Sequence, residues 1–347
     1  MNIPVEYSKK TVPLFIDDKH IDFNTTAEHL GMLRSIQGNN VTIMTRITAH
    51  RQALTGVLHS GMARGHRGSP VTSLHIEKMF ASPVLLSGLA PLLLTRKEEN
   101  LIDQHHKSTL QGLLRLYPRT PRSVVCFLAG SLPGCALLHL RMLSIFGMIC
   151  RLPENILHRN ALDYFTSASL TSTSWFSQIR KLCLFYDLPN PIVLLQEPHT
   201  KLAFKSLVKK RVISYWEQTL RHQATLLPSL TYFKPGFMSL VSAHPLWTTA
   251  GSSPMKIAMP TVQAKMISGR YRTEGLCSHW SRNKDGVCLL SFNCRNVVED
   301  LHHVLVSCAA LQPTRDNLKK FSYEYSIKYP IINHLVEEYC NTSSPYL

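Results

Sequence analysis

The sequence predicts a mainly α-helical protein: a helical bundle, with a small β-hairpin region before it and a small Cys/His module after it. Three observations carry that reading. From residue 40 onward apolar residues recur at helical spacing over long stretches. Before that, short apolar runs are separated by turn chemistry at Asp17-Asp18-Lys19. Near the C-terminus, Cys288, Cys294, His303 and Cys308 fall within 21 residues of a chain that has only nine cysteines.

Val12 to Ile16 and His20 to Phe23 read as the two strands of one hairpin, and His29 to Leu33 as a further strand. Ile43, Ile47, Leu54, Val57 and Leu58 share a helical spacing between Asn40 and Met62. Leu74 to Phe80 is the next helix, ending before Pro83. Thr95 with Glu98 three residues on is a capping box, in which each residue's side chain satisfies the other's backbone N–H. The helix it opens runs through Leu101, Ile102, His105, Leu110, Leu113 and Leu114 and stops before Pro118. Cys135 to Cys150 is apolar nearly all round, which places it centrally. Farther on, turn signals become denser, with shorter periodic pieces around Trp175 to Tyr186. One long helix comes next, Lys201 to Ala224, with Leu202, Leu207, Val208, Val212, Tyr215 and Leu220 as its apolar stripe. The chain divides accordingly into a β region 1–38, a helical domain 39–150, a linker region 151–265 containing the basic helix 201–224, the Cys/His module 266–320 and a tail 321–347.

Charge narrows the choice of partner. The 347 residues hold 38 Lys and Arg against 22 Asp and Glu, a formal net charge of +16, so a polyanion is the natural partner. A membrane is not expected. Val84 to Leu94 is short and contains Pro91, and Val124 to Cys150 is broken at Gly130-Ser131-Leu132-Pro133-Gly134 and carries His139 and Arg141. Met1 to Lys10 is polar and lacks the apolar core of a secretory signal, so a nuclear or cytoplasmic location is expected rather than secretion. The cysteines then read as thiols or metal ligands rather than a disulfide framework.

The Cys/His order is Cys-x5-Cys-x8-His-x4-Cys, and a tetrahedral structural zinc site asks for two close ligand pairs. His303 and Cys308 lie about one and a half helical turns apart, so one helix is expected to present both. Cys288 and Cys294 are spaced more widely than the two to four residues usual in zinc hairpins, and Cys277 is a spare ligand upstream. The competing reading is a set of reduced, partly buried thiols behaving as small hydrophobes.

Other motifs carry less. Phe15-Ile16-Asp17-Asp18 has the form in which polymerases present metal-binding carboxylates, but only 14 residues precede Phe15, and a hairpin turn accounts for the pair. Neither a nucleophile elbow nor a phosphate loop is present. Asp103, His105 and His106 lack the partners a metal needs. No catalytic residue and no small-molecule substrate are assigned. Four basic groups are candidates for phosphate contact: Arg64 and Arg67 in a glycine-containing loop, Arg115, Arg119 and Arg122 around Tyr117, Lys201, Lys205 and Lys209 at four-residue spacing, and Arg270, Tyr271 and Arg272 at the entrance to the Cys/His module. A plain helix connector is the alternative for the Arg64 loop, and an ordinary solvated face for the lysine row and for the Arg270 group.

Several of these segments resemble one family. Thr26-Ala27-Glu28-His29-Leu30-Gly31-Met32-Leu33-Arg34-Ser35 looks like the strand that comes after the palm in reverse transcriptases of jockey-like, non-LTR retrotransposons. Arg46-Ile47-Thr48-Ala49-His50, Ile76-Glu77-Lys78, Pro83-Val84-Leu85-Leu86-Ser87-Gly88-Leu89 and Leu128-Ala129-Gly130-Ser131-Leu132-Pro133 resemble the helical thumb and the region downstream of it. Gly269-Arg270-Tyr271-Arg272 and Glu299-Asp300-Leu301-His302-His303, ending at Cys308, look like the family's C-terminal zinc-knuckle-like module. The resemblance implies a thumb-like bundle and module without the catalytic palm, retaining surfaces for RNA or an RNA/DNA duplex. A helical protein-interaction protein adopted by the host, or a subunit of a split polymerase using Asp17 and Asp18, are the alternatives.

Overall fold

The structure is a computed structural model. It describes residues 14–16, 19–21, 26–29, 32–36, 38–59, 69–153, 156, 174–230, 233–247, 254–271, 273–278, 285–294 and 296–316. Among these the protein is mainly α-helical, with two small antiparallel hairpins at its start. Strands β1 (Leu14–Ile16) and β2 (Lys19–Ile21) pair with Phe15 opposite His20, so the expected hairpin is present, but Lys19, expected in its turn, opens β2 opposite Ile16. Strands β3 (Thr26–His29) and β4 (Met32–Ser35) form a second hairpin, with Thr26 opposite Ser35 and His29 opposite Met32. The single strand expected over His29 to Leu33 is therefore wrong: the chain reverses between His29 and Met32. Thr42 ties the hairpin to the first helix, its hydroxyl donating to the Leu33 carbonyl at 2.6 Å.

Helix α1 (Asn40–His59) buries Ile43, Ile47 and His50. Helix α2 (Pro70–Ile76) then runs into a π-helical turn, Glu77–Ala81, and on into α3 (Ser82–Leu86). Pro83 does not end the helical path. The widened turn closes through the Ser82 amide onto the Glu77 carbonyl, and Pro83 falls in the first turn of α3, where no N–H is required of it. Helix α4 (Arg96–Leu113) opens with the expected capping box: the Glu98 amide donates to Thr95 Oγ1 at 3.3 Å and the Thr95 amide to Glu98 Oε2 at 2.7 Å. Below it, Gln111 Nε2 donates to the carbonyls of Tyr117, Pro118 and Thr120, fastening the connection to α5 (Arg122–Ala129).

Helix α5 ends on Gly130 at φ 59°, and a side chain there would run into the Ser242 backbone. Helix α6 (Gly134–Cys150) is central as its composition requires, burying Ala136, Leu138, Met142, Leu143, Phe146 and Cys150 between its neighbours. Helices α7 (Trp175–Phe185), α8 (Pro191–Gln196) and α9 (Lys201–Thr225) complete the bundle, α9 packing along α6 and α5. The buried face of α9 is Phe204, Val208, Val212, Trp216, Leu220 and Ala224, a strict four-residue series. Leu202, expected in the stripe, is 78% exposed because it lies outside that series, and Leu207 and Tyr215 are half-buried at its edge. Trp247 is fully buried, and its indole N–H donates to the Leu128 carbonyl at 2.9 Å, closing the strap 235–247 over α5. One apolar core runs from Ile43 to Ala264, so residues on both sides of position 150 share it. Each fully buried Leu, Ile or Phe side chain contributes about 1.5–3 kcal/mol to that core.

Among the described residues no single helix is long and apolar enough to cross a membrane. Helices α5 and α6 together reach that length but are bent by 64° at their junction, and they lie inside the bundle.

Candidate metal centre

Beyond α10 (Pro254–Ile267) and the short α11 (Glu274–Ser278), the chain folds into a small module whose centre is made of cysteines. An antiparallel bridge, Val287 to Val298, holds its two arms together, with the Cys288 amide donating to Val297 O at 2.9 Å and the Glu299 amide to Gly286 O at 2.8 Å. Gly275 donates to Glu299 O at 3.0 Å, and a side chain at Gly275 would sit 2.7 Å from that carbonyl, so only glycine lets α11 approach the arm this closely. The wide Cys288-to-Cys294 spacing now has a physical account. Residues 289–293 form a loop on top of the bridge, and Cys294 ends a 3₁₀ turn whose amide bonds return to Ser291 O at 3.0 Å.

The second ligand pair departs from expectation in an informative way. In a regular α-helix, side chains five residues apart point about 140° away from each other. His303–Ser307 is instead a π-helical turn, closed by the Cys308 amide on the His303 carbonyl at 2.7 Å, and this i→i+5 closure brings His303 and Cys308 to the same side. Asp300 Oδ1 caps the turn, accepting from the His303 amide at 2.6 Å.

The donor atoms of Cys288, Cys294, His303 and Cys308 all lie within 4.8 Å of one another, and all four residues are buried. Cys288 Sγ and Cys308 Sγ stand 3.8 Å apart, close to the edge of about 3.8 Å that a tetrahedral ion imposes when its bonds to sulfur are about 2.3 Å. That separation is also far beyond a disulfide bond of about 2.05 Å. His303 Nε2 is buried with no hydrogen-bond partner. A buried imidazole nitrogen left without a partner is costly, and a metal ion at the centre of the cluster would supply one. Burial acts to raise both thiols of the close pair, and Cys288 does lie above the usual thiol range. In Cys308 the Ala310 amide, the Cys288 side chain and the Leu311 amide outweigh burial and hold it below that range, favouring the thiolate that a metal binds. The four residues predicted from sequence can thus hold a metal ion. Cys277 is buried but lies outside the group, which has Cys288 as its first member.

The basic candidates fare unevenly. Lys201, Lys205 and Lys209 are exposed along α9, with Lys210 beside them. Arg122 Nη2 sits 2.9 Å from Asp103 Oδ2 at the start of α5, so it serves that ion pair rather than projecting freely. Arg115 is half-buried at φ 54°, in the reversal after α4, and Arg119 is exposed. Tyr117 carries the Lys265 ammonium 4.9 Å from its ring centre. Arg270 and Tyr271 are half-buried, not a projecting basic loop, and Arg270 Nε is enclosed without a hydrogen-bond partner. Arg64, Arg67 and Arg272 lie outside the described residues, as do Asp17 and Asp18.

Sequence reasoning missed one constellation. His105 and His106 meet His50 of α1 and Glu77 of the π-turn: His105 Nε2 is 3.0 Å from His50 Nδ1, and His106 Nε2 is 3.3 Å from Glu77 Oε1. His50 and Glu77 are far from the pair in sequence, and their neighbourhoods carry no ligand spacing that would connect them.

No protein-family model matches this chain, and no curated protein or solved structure matches it either.

Proposed function

We propose that this protein binds nucleic acid through its helical bundle and uses the three-cysteine, one-histidine module as a structural zinc site. The observation that carries the first part is the face of α9. Lys201, Lys205, Lys209 and Lys210 are exposed on a 25-residue helix whose sole acidic residue, Glu217, is turned toward the Ser239 hydroxyl and the Leu240 amide. Four-residue steps advance about 6 Å along the axis, so the row can follow one strand of a phosphate backbone. In a chain of net charge +16 this supports RNA or an RNA/DNA duplex as partner, recognised through the backbone with little sequence selectivity. The resemblance to the region downstream of the palm in non-LTR reverse transcriptases agrees with that partner.

The experiment is a salt titration of RNA affinity. Replacing Lys201, Lys205 and Lys209 together by Gln is expected to weaken binding and reduce the slope of log affinity against log salt by about 2–3. Unchanged affinity and slope would remove α9 from the interface.

For the module, three thiolates and an imidazole are a donor set suited to zinc, which would cross-link the two ligand pairs and supply the folding energy that its small apolar content does not. Metal analysis of the purified chain is expected to give one zinc per molecule. A metal-free chain with an intact module would overturn the assignment.

A further inference from the structure

Helix α1 is held to the bundle by few buried side chains, and one of them is a histidine. It packs on α2, the π-turn, α3 and α4, and carries the β3–β4 hairpin with it through Thr42. Among its described residues it buries Thr42, Ile43, Ile47 and His50, whereas α9 buries six side chains. His50 is the last of the four, and beyond it Ala53, Leu54 and Val57 are half-buried. What His50 meets is polar: its Nδ1 lies 3.0 Å from His105 Nε2 on α4, and its Nε2 lies 3.9 Å from Glu77 Oε1.

Two ring nitrogens 3.0 Å apart form a hydrogen bond only while one bears a proton and the other a lone pair. A neutral imidazole offers both, and an imidazolium has two N–H groups and no acceptor. The pair therefore accommodates one added proton. A second one sets two N–H groups against each other inside the protein, each facing the other's positive charge. The surroundings do not neutralise it. Glu77 is the one anion that faces the pair among the described residues, and its Oε1 already accepts the Ser82 hydroxyl at 2.6 Å and lies 3.3 Å from His106 Nε2. Arg51 faces His105, and Arg46 stands one turn before His50 on α1. The remaining ionisable groups of these elements are placed elsewhere. His75 and Lys78 are exposed, Asp103 is paired with Arg122, Lys107 lies by Arg122 and Cys126, and β4, with Arg34, meets α1 about two turns before His50.

We propose that His50, His105, His106 and Glu77 form a proton-operated latch, which closes α1 and the β3–β4 hairpin onto the bundle at neutral pH and releases them together on acidification while the rest of the bundle stays folded. Release lets both imidazoles be hydrated as cations, and it bares Ile43 and Ile47. Its direction follows from linkage. In the closed state burial first, then the His50, Arg51 and His106 charges, hold the pKa of His105 at about 4 instead of the usual 6.5. Opening therefore takes up protons, is suppressed above pH 6.5 and grows as pH falls from 6.5 toward 4.

The test is amide exchange of the full chain, read by mass spectrometry between about pH 7.5 and 4.5 and corrected for the intrinsic pH dependence of exchange. Residues 40–57 are expected to lose protection, their opening constant rising about tenfold per pH unit for each proton taken up, while 134–150 and 201–225 keep theirs. His50→Asn replaces the ring by an amide that accepts from a protonated His105 as well as it donates to the neutral one. It is expected to move the opening about one unit lower in pH. His105→Gln alters the same contact from the α4 side, with the same shift expected, and serves if His50→Asn does not fold. Loss of protection over 40–57 and the rest of the bundle in one transition would overturn the latch. So would α1 protection that persists to the lowest pH, or opening of the variants at the parent's pH. Acid also acts on the thiols of the Cys/His module, so exchange over 285–311 is followed as a separate event. A shift of that event in His50→Asn equal to the shift in α1 would mean a general change in stability and would equally overturn the assignment.

Discussion

His106 Nε2 lies 3.3 Å from Glu77 Oε1 inside the helical bundle, and the same carboxylate oxygen accepts the Ser82 hydroxyl at 2.6 Å and faces His50 Nε2 at 3.9 Å. Burial alone would raise the Glu77 carboxyl, but His106, His50 and Ser82 outweigh it and hold the group well below the usual carboxylate range. Glu77 is therefore a buried anion that three side chains from α1, α3 and α4 help to satisfy. Removing it strands two imidazoles in the interior, and Glu77→Ala is expected to destabilise the fold by about 3 kcal/mol or more, read as a shift in the urea midpoint.

The same cluster sets the response to acid. His105 faces His50, Arg51, His106 and Glu77, and burial, with the His50, Arg51 and His106 charges after it, lowers its pKa from the usual 6.5 to about 4. Between pH 6.5 and 4 the unfolded chain accepts this proton and the folded chain does not, so stability falls with pH across that window. Glu77 acts in the same direction lower down: its contribution is complete above the usual carboxylate pKa and is lost as pH falls beneath it. His105→Gln is expected to flatten the upper window only, measured as denaturant midpoints at several pH values. An upper slope identical to the parent's would exclude His105 as its source.

A second buried network joins Trp216, Tyr186, His139 and Glu99. The Trp216 indole can only donate, and it does so to the Tyr186 oxygen at 3.0 Å. The Tyr186 hydroxyl also lies 2.7 Å from His139 Nδ1, and His139 Nε2 is 3.4 Å from Glu99 Oε1. Burial pushes the Tyr186 hydroxyl further up, so it stays protonated. Tyr186→Phe leaves an indole N–H and an imidazole nitrogen without partners at the junction of α6, α7 and α9. A loss of about 1–3 kcal/mol in chemical denaturation is expected. A neutral outcome would mean that solvent reaches the site.

The proposed zinc site predicts that the two parts of the protein can be separated. With zinc in the cluster, chelation or Cys308→Ser would release it and increase amide exchange across residues 285–311, while the far-UV helical signal of the bundle is largely retained. Collapse of the whole helical signal on chelation would show instead that the bundle depends on the module.

The sequence is legible where the causes of structure are local. Thr95 and Glu98 announce α4 because a capping box is complete within four residues, and α6 announces its central place by being apolar on every side. The Cys/His cluster was legible because cysteine and histidine carry their chemistry in their identity. Their geometry was not, since a π-turn leaves no periodic trace, and the regular helix expected to present His303 and Cys308 together would point them apart. Pro83 misled for the same reason: the widened turn at Glu77–Ala81 carries the helical path up to it. The second hairpin was missed because alternation reads alike in the two strands Thr26–His29 and Met32–Ser35. Glu77 and His50 were invisible as a pair because only the packing of α1 against the π-turn brings them together.

Lys201 occupies the first position of α9 and Lys205 lies one turn on, where the aligned peptide dipoles already present positive charge. The free protein thus holds this helix end against its own electrostatic preference, at about 0.3–1 kcal/mol per misplaced charge. Added salt relieves that repulsion, and it would weaken the proposed hold on a phosphate backbone. Amide exchange over residues 202–209 should slow as ionic strength rises in the free protein, so the condition that best orders this helix is the one in which the proposed binding would be weakest.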